Sequence, residues 1–172
     1  MNVKFLNPFV ESALEVLQVE TGYKVSRGEI RLDKEPYVTD DVTVIISLVG
    51  CVEGNVFYSM RQETALALAS RILGEPLNEF NNLAQSGIAE LGNVITGRAS
   101  VKLSQAGFES TLSPPSLLSG KGATISTLDY ARLVVPMEGE CGPLVIHLAL
   151  REGAYRYFKT AQTPSIPRPT IE

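Results

Sequence analysis

The residues best suited to chemistry lie in one stretch, Ser86-Gly87-Ile88-Ala89-Glu90-Leu91-Gly92-Asn93-Val94-Ile95-Thr96-Gly97. At about 100° per residue, Ala84, Ile88, Leu91, Ile95 and Ala99 gather on one side of a helix. Ser86, Glu90, Asn93 and Gly97 gather on the other side, within an arc of roughly 60°. Glu90 and Asn93 stand at i, i+3 and are therefore neighbours. A carboxylate and a carboxamide would project side by side into solvent, and Gly97 would leave room for something to approach the backbone. Two readings fit this pattern. The pair is either the wet face of an amphipathic helix or a device that handles a substrate. Asparagine is a mediocre helix former and glycine a worse one, each glycine costing up to about 1 kcal/mol against alanine. Glycines 87, 92 and 97 in a single helix point to close contact with another surface, with tight helix packing as the plainer explanation.

Little else in the chain offers catalytic chemistry. There is one histidine, His147, so Ser-His-Asp catalysis would have to use it. Placed among Val145, Ile146 and Leu148, it reads as a structural strand residue, although an unrelated enzyme built on it is a rival. Cys51 and Cys141 are distant in sequence and form no CxxC, which removes support for zinc or dithiol chemistry. Two lone thiols fit a reducing cytosol. Ser119-Gly120-Lys121-Gly122 lacks phosphate-loop spacing and reads as a flexible turn. Fifteen basic residues against nineteen acidic ones give −4, so no global charge draws the chain to nucleic acid or to an anionic membrane. The apolar runs are too short to span a bilayer and no signal-peptide core is present, so a cytoplasmic protein is expected. Arg151, Arg156 and Lys159 read as a solvated face.

The elements that must position the Glu90/Asn93 stretch follow from periodicity. Leu6, Phe9, Val10, Ala13, Leu14 and Leu17 mark a first amphipathic helix, stopped by Gly22. Residues 23–32 are expected to be a strand. Residues 42–49 are β-branched and apolar on both parities, as in a well-covered strand. A turn at 50–54 leads into a second strand through Met60, and residues 63–73 form a short helix ended by Gly74. A long helix is predicted over 78–105, with Gly107 just beyond. Short extended pieces at 108–112 and 123–126 flank Ser113-Pro114-Pro115, strands are expected at 130–136 and 142–150, and a short helix is expected near 154–161. The second half repeats the first in outline: 45–60 and 133–148 are each strand, glycine-bearing turn, strand, with Cys51 and Cys141 in corresponding turns. The expectation is an α+β, pseudo-duplicated domain over residues 1–162, with an antiparallel sheet and helices packed on it, and a tail at 163–172.

Ser86-x3-Glu90-x2-Asn93 resembles the Asp/Ser-x3-Glu-x2-Asn signature of the CheC/CheX/FliY chemotaxis phosphatases. The likeness extends to the glycine-bearing long helix, to Pro114-Pro115 after it, and to the Gly54-Asn55-Val56-Phe57-Tyr58-Ser59 strand before a Glu-Thr-Ala-Leu helix, and is strongest to the CheX type. The resemblance implies hydrolysis of the aspartyl phosphate of a response regulator, with Mg²⁺ held by that CheY-type receiver domain and no cofactor of the chain's own. It implies that Asn93 orients the attacking water and that Glu90 pairs with the partner's lysine. Ser86 and Gly97 would support the interface, and the chain would form a homodimer. CheC-type members carry the signature twice. Here Glu11 and Glu15 are followed three positions later by Leu14 and Gln18, so one active face is expected. The alternative is a module of the same fold family that binds receiver domains or flagellar-switch components without turnover.

Overall fold

The structure is a computed structural model that describes residues 3–127 and 130–154. After a 3₁₀ turn (Val3–Phe5) come helix α1 (Leu6–Thr21), strands β1 (Ser26–Arg27), β2 (Arg31–Asp33), β3 (Tyr37–Val38), β4 (Val42–Gly50) and β5 (Val52–Met60), and helices α2 (Gln62–Leu73) and α3 (Asn82–Gln105). Strands β6 (Ser110–Leu112), β7 (Ser116–Ser119), β8 (Thr124–Ile125), β9 (Arg132–Glu138) and β10 (Leu144–Glu152) complete the chain.

The main sheet is antiparallel throughout, in the order β1-β9-β10-β5-β4-β6, with β2 also on β9 and β7 also on β4. The hairpins β4–β5 and β9–β10 join along β5 and β10, where Ile146 faces Tyr58 and His147 faces Phe57. That order is the one a duplicated strand-turn-strand unit gives when its two copies meet edge to edge. Strand alternation divides the side chains between two faces. Val44, Ile46, Val56, Tyr58, Ile146 and Leu148 form one buried cluster with Phe9, Ala13, Leu68, Ile88 and Ile95 of the three helices. Phe57 and Ala149 point the other way and pack with Tyr37 in a second, smaller cluster. The α+β architecture with helices on one sheet face is therefore present as expected.

Several boundaries move, each for a local reason. The long helix begins at Asn82 and not near Asn78, because Asn81 caps it: its Oδ1 accepts hydrogen bonds from the backbone N–H groups of Leu83 and Ala84, at 3.1 and 3.0 Å. The strand expected over 23–32 is two short edge pieces, β1 and β2, that share β9 as partner. The turn expected at 50–54 shrinks to Cys51, and β5 already runs from Val52. Gly54 lies inside that strand at φ 133°, where a Cβ would collide with the Ala149 carbonyl of β10. The later strands run two residues further than expected, to Glu138 and Glu152. The sequence reading missed β7: β4 pairs with β7 along 42–45 and with β6 along 48–50, and Pro114-Pro115 turns the corner between them. At that corner the Ser47 N–H donates to Ser113 Oγ at 2.9 Å. The helix expected near 154–161 and the tail at 163–172 fall almost wholly outside the described residues. No helix among the described residues is long and apolar enough to cross a membrane.

Candidate functional site

Helix α3 lies on the sheet with α1 and α2 beside it. The expected buried stripe is buried: Ala84, Ile88, Leu91, Ile95 and Ala99 all belong to the main core. Two further residues fix the helix against the sheet. At Gly92 an added Cβ would sit 3.0 Å from Val44 Cγ1 and 3.1 Å from Tyr58 Cδ2, so glycine is what lets the helix come this close. One turn on, the buried Thr96 hydroxyl donates to the Gly92 carbonyl at 2.8 Å and accepts from the Tyr58 hydroxyl at 2.7 Å. Burial raises the Tyr58 pKa far above the phenol range, so it stays a donor. Depth and rotation of α3 are thus set by a close backbone approach and by a hydrogen-bonded chain from β5.

With that side anchored, the opposite side faces outward. Ser86 and Glu90 are exposed, and Asn93 and Gly97 are partly exposed. Asn93 Nδ2 lies 3.4 Å from Glu90 Oε2 and donates to it, the i, i+3 contact expected from spacing. All four residues singled out in the sequence therefore share one accessible face. The three glycines of the helix play different parts. Gly92 meets the sheet, Gly87 has only Leu73 Cδ1 at 4.0 Å, and a Cβ at Gly97 would meet nothing within 4 Å. Close approach to the protein's own core explains Gly92 alone.

Two residues on this face escaped the sequence reading. Leu83 and Val101 are 49% and 58% exposed, and both fall on the outward side of α3, within an arc of roughly 80° shared with Ser86, Glu90, Asn93 and Gly97. They stand about 27 Å apart along the axis, one at each end of the polar centre. The available signal was apolar residues at positions the helical wheel assigns to solvent.

Beside the face, α1 contributes charges. Lys102 of α3 bridges Glu11 and Glu15 of α1 at 3.0 and 2.8 Å, and Arg98 stands 3.8 Å from Glu15. The hydrogen bond from Lys102 holds the Glu15 carboxyl below its usual pKa and, reciprocally, raises that of Lys102. Glu11 and Glu15 are therefore engaged in holding α1 to α3.

His147 lies across the sheet, far from this face in the fold. It is 7% exposed, and its Nδ1 is 2.8 Å from Arg132 Nη1. Burial, then the Arg132 and Arg31 charges, push its pKa down to about 3. It is a neutral imidazole, and no nucleophilic side chain hydrogen-bonds to it among the described residues. Cys51 and Cys141 are both free thiols, and burial raises the pKa of Cys141.

The model of the chemotaxis phosphatase CheX family matches residues 42–138, a span that includes the whole of α3. The CheY-P phosphatase CheX of Thermotoga maritima is 28% identical over 155 residues, covering 89% of this chain and 99% of that protein. Among solved structures, a CheC-like superfamily protein from Shewanella sp. PV-4 is 29% identical with a TM-score of 0.79, covering 88% of this chain and 99% of that one. The matching chain of the CheX–CheY–BeF₃–Mg²⁺ complex from Borrelia burgdorferi is 26% identical with a TM-score of 0.76, covering 88% of this chain and 100% of its own. With more than half its length inside the family model, and with fold and helix as described, the chain belongs to the chemotaxis phosphatase CheX family.

Proposed function

We propose that this chain hydrolyses the aspartyl phosphate of a phosphorylated CheY-type receiver domain by inserting the outward face of α3 into that domain's reaction centre. The observation that carries the reading is the adjacent, accessible Glu90 and Asn93 on a helix whose depth and rotation are fixed by Gly92, Thr96 and Tyr58. The names of two relatives support the substrate: one is a CheY-P phosphatase, and the other was solved with CheY, BeF₃ and Mg²⁺. An acyl phosphate is already activated, and a partner-held Mg²⁺ would neutralise its charge, so the remaining task is to place a water in line with phosphorus. In this reading the Asn93 carboxamide does so, using both its donor and its acceptor. Water oxygen bonds to phosphorus, the bond from phosphorus to the aspartyl oxygen breaks, and inorganic phosphate and the aspartate carboxylate are released with the water's proton. Glu90 pairs with the partner's lysine and sets the docking angle. Ser86 and Gly97 border the contact, and Leu83 and Val101 give it apolar ends.

The assay is phosphate release from a phosphorylated receiver domain with Mg²⁺ present. Asn93→Ala should bind the receiver and lose most of the acceleration. If that variant accelerates decay as well as the unaltered chain does, Asn93 does not position water. Measurable binding with no acceleration by the unaltered chain would place it among non-catalytic receiver-binding modules. The same reading puts the reaction in the cytoplasm, in keeping with two free thiols. It also includes a homodimer formed through the sheets, for which β6 and β7 on one side and β1 and β2 on the other offer open edges. Sedimentation equilibrium tests that assembly, and a monomer at tens of micromolar would overturn it.

A further inference from the structure

We propose that the sheet face turned away from the helices carries a second site, one for a small phosphate-bearing anion. An open cavity of about 460 Å³ lies there, bordered by β2, β3 and the turn at 120–122 and floored by residues of β5, β9 and β10. Volumes of this order are typical of small-molecule sites. Its cations are Arg31, Arg61, Lys121 and Arg132, set against Asp33 and Asp40, in a chain whose net charge is −4. Arg132 already engages Asp33, with Nη2 3.0 Å from Oδ2. Arg31 acts on Asp33 as well, and the lining as a whole sets four cations against two carboxylates, an excess that suits a phosphate monoester dianion.

The floor is richer in donors than in acceptors. Arg132 is only 2% exposed; its Nη1 meets His147 Nδ1 at 2.8 Å, and its Nη2 also donates to the Glu35 carbonyl at 2.8 Å. Its Nε–H is buried and has no hydrogen-bond partner among the described residues. An unmade bond from a buried charged donor is a standing cost at the cavity floor. Because His147 Nδ1 accepts from the guanidinium, the ring proton is on Nε2, and the imidazole adds another donor. Low pKa keeps the ring in that neutral form at physiological pH. His147 pairs with Phe57, while its neighbours Ile146 and Leu148 pack toward the helices. The cavity is therefore separated from Glu90 and Asn93 by the sheet itself, and it stands whatever α3 does.

The test uses the full chain and its single histidine, whose imidazole signals in a ¹H–¹⁵N spectrum report the cavity without ambiguity. Inorganic phosphate and phenyl phosphate are titrated separately, with chloride holding ionic strength constant. Saturable shifts of the His147 signals are expected. Equal affinities would show that the phosphoryl group alone is recognised, and tighter binding of phenyl phosphate would show that the organic portion is held too. Arg61→Gln/Lys121→Gln, two exposed cations on the rim, should weaken binding at least about tenfold. Lys4→Gln/Lys24→Gln removes the same charge from exposed positions that do not line the cavity, and should leave binding unchanged. The absence of a saturable shift with both anions, or equal weakening by both double variants, would overturn the proposal.

Discussion

Gly97→Ala separates the demands of folding from the demands of docking. Gly97 is an interior residue of α3 without positive φ, and a Cβ there meets nothing within 4 Å. The chain's own packing therefore gives no reason for glycine. Alanine should gain about 0.5–1 kcal/mol through helix propensity and a less flexible unfolded state. In a chain of this length that is a rise in melting temperature of about 1–4 °C. The methyl group would nevertheless stand in the arc shared by Glu90 and Asn93, where the proposed reaction requires a partner's surface to come. If that surface meets the bare backbone, the collision should lower kcat/KM for receiver dephosphorylation by about tenfold or more, equivalent to about 1.4 kcal/mol. Two companions make the experiment interpretable. Gly87→Ala, with Leu73 Cδ1 at 4.0 Å, should stabilise similarly and leave activity unchanged, because position 87 lies off the arc. Gly92→Ala puts a Cβ 3.0 Å from Val44 and 3.1 Å from Tyr58, whose ring is held by Thr96. Overpacking of about 1–3 kcal/mol should outweigh its propensity gain. Melting curves and phosphate-release kinetics on the three variants suffice. A Gly97→Ala protein that melts higher and keeps full activity would refute the idea that this glycine leaves space for a partner.

Other outcomes follow from the same geometry. Asn93→Ala should lower kcat by about 100-fold with little change in stability, since misplacing a positioned reactant costs rates of that order. Glu90→Gln should act mainly on KM, and a selective loss of kcat would reverse the two roles. Leu83→Asp and Val101→Asp should each raise KM about fivefold by removing about 1 kcal/mol of apolar contact, with melting unchanged; unaltered KM in both would exclude the helix ends from the interface. His147 predicts a pH dependence of stability. Its pKa is pushed down to about 3 from an unfolded value of 6.5, so the unfolded chain binds the extra proton between those values. Stability is full above pH 6.5 and falls with acidification, by about 2–3 kcal/mol on reaching about pH 4.5. Urea titrations of His147→Gln should decline much less over that interval, the remainder coming from the exposed Glu15, whose carboxyl is also held below its usual value by Lys102. Asp33, held below its usual 3.8 by the Glu35 N–H and then by Arg132, acts only at lower pH. An equally steep decline in the variant would remove His147 as the cause.

What was legible in the sequence was what local spacing determines. The buried stripe of α3 and its opposite polar arc follow from 3.6-residue periodicity, and both appear in the fold as the spacing required. Gly22 and Gly74, both left-handed at φ 71° and 72°, end helices as glycine's freedom permits. What was not legible depends on partners distant in sequence. β7 exists because β4 offers it an edge, and β1 and β2 exist because β9 does; none has enough alternation of its own. Ser119-Gly120-Lys121-Gly122, read as a flexible turn, is instead tied down: Gly120 N–H donates to the Asp41 carbonyl at 2.8 Å and Gly122 N–H to the Thr39 carbonyl at 2.9 Å. That clamp holds Lys121 at the rim of the basic cavity. Arg31, Arg61, Lys121 and Arg132 are scattered along the chain and no window of sequence unites them, so only the fold could reveal their meeting.

In the proposed reaction a single asparagine is the catalyst, and the anchoring of α3 bears on how it could suffice. A carboxamide has no useful basicity, so its contribution rests on where its two polar atoms stand. A helix free to roll by one side-chain width would lose that advantage. Rolling α3 would break the hydrogen bond between Tyr58 of β5 and Thr96, the link of that chain that crosses from helix to sheet, and would move the Gly92 backbone from its seat beside Val44 and Tyr58. That hydrogen bond is buried, so breaking it costs about 1–3 kcal/mol with no water to replace it. Asn93 follows Gly92 directly and lies one turn before Thr96 and Gly97. Its placement is therefore inherited from the most tightly held part of the helix, whereas Leu83 and Val101 lie near the ends, where a docking contact tolerates more movement than a reacting water does.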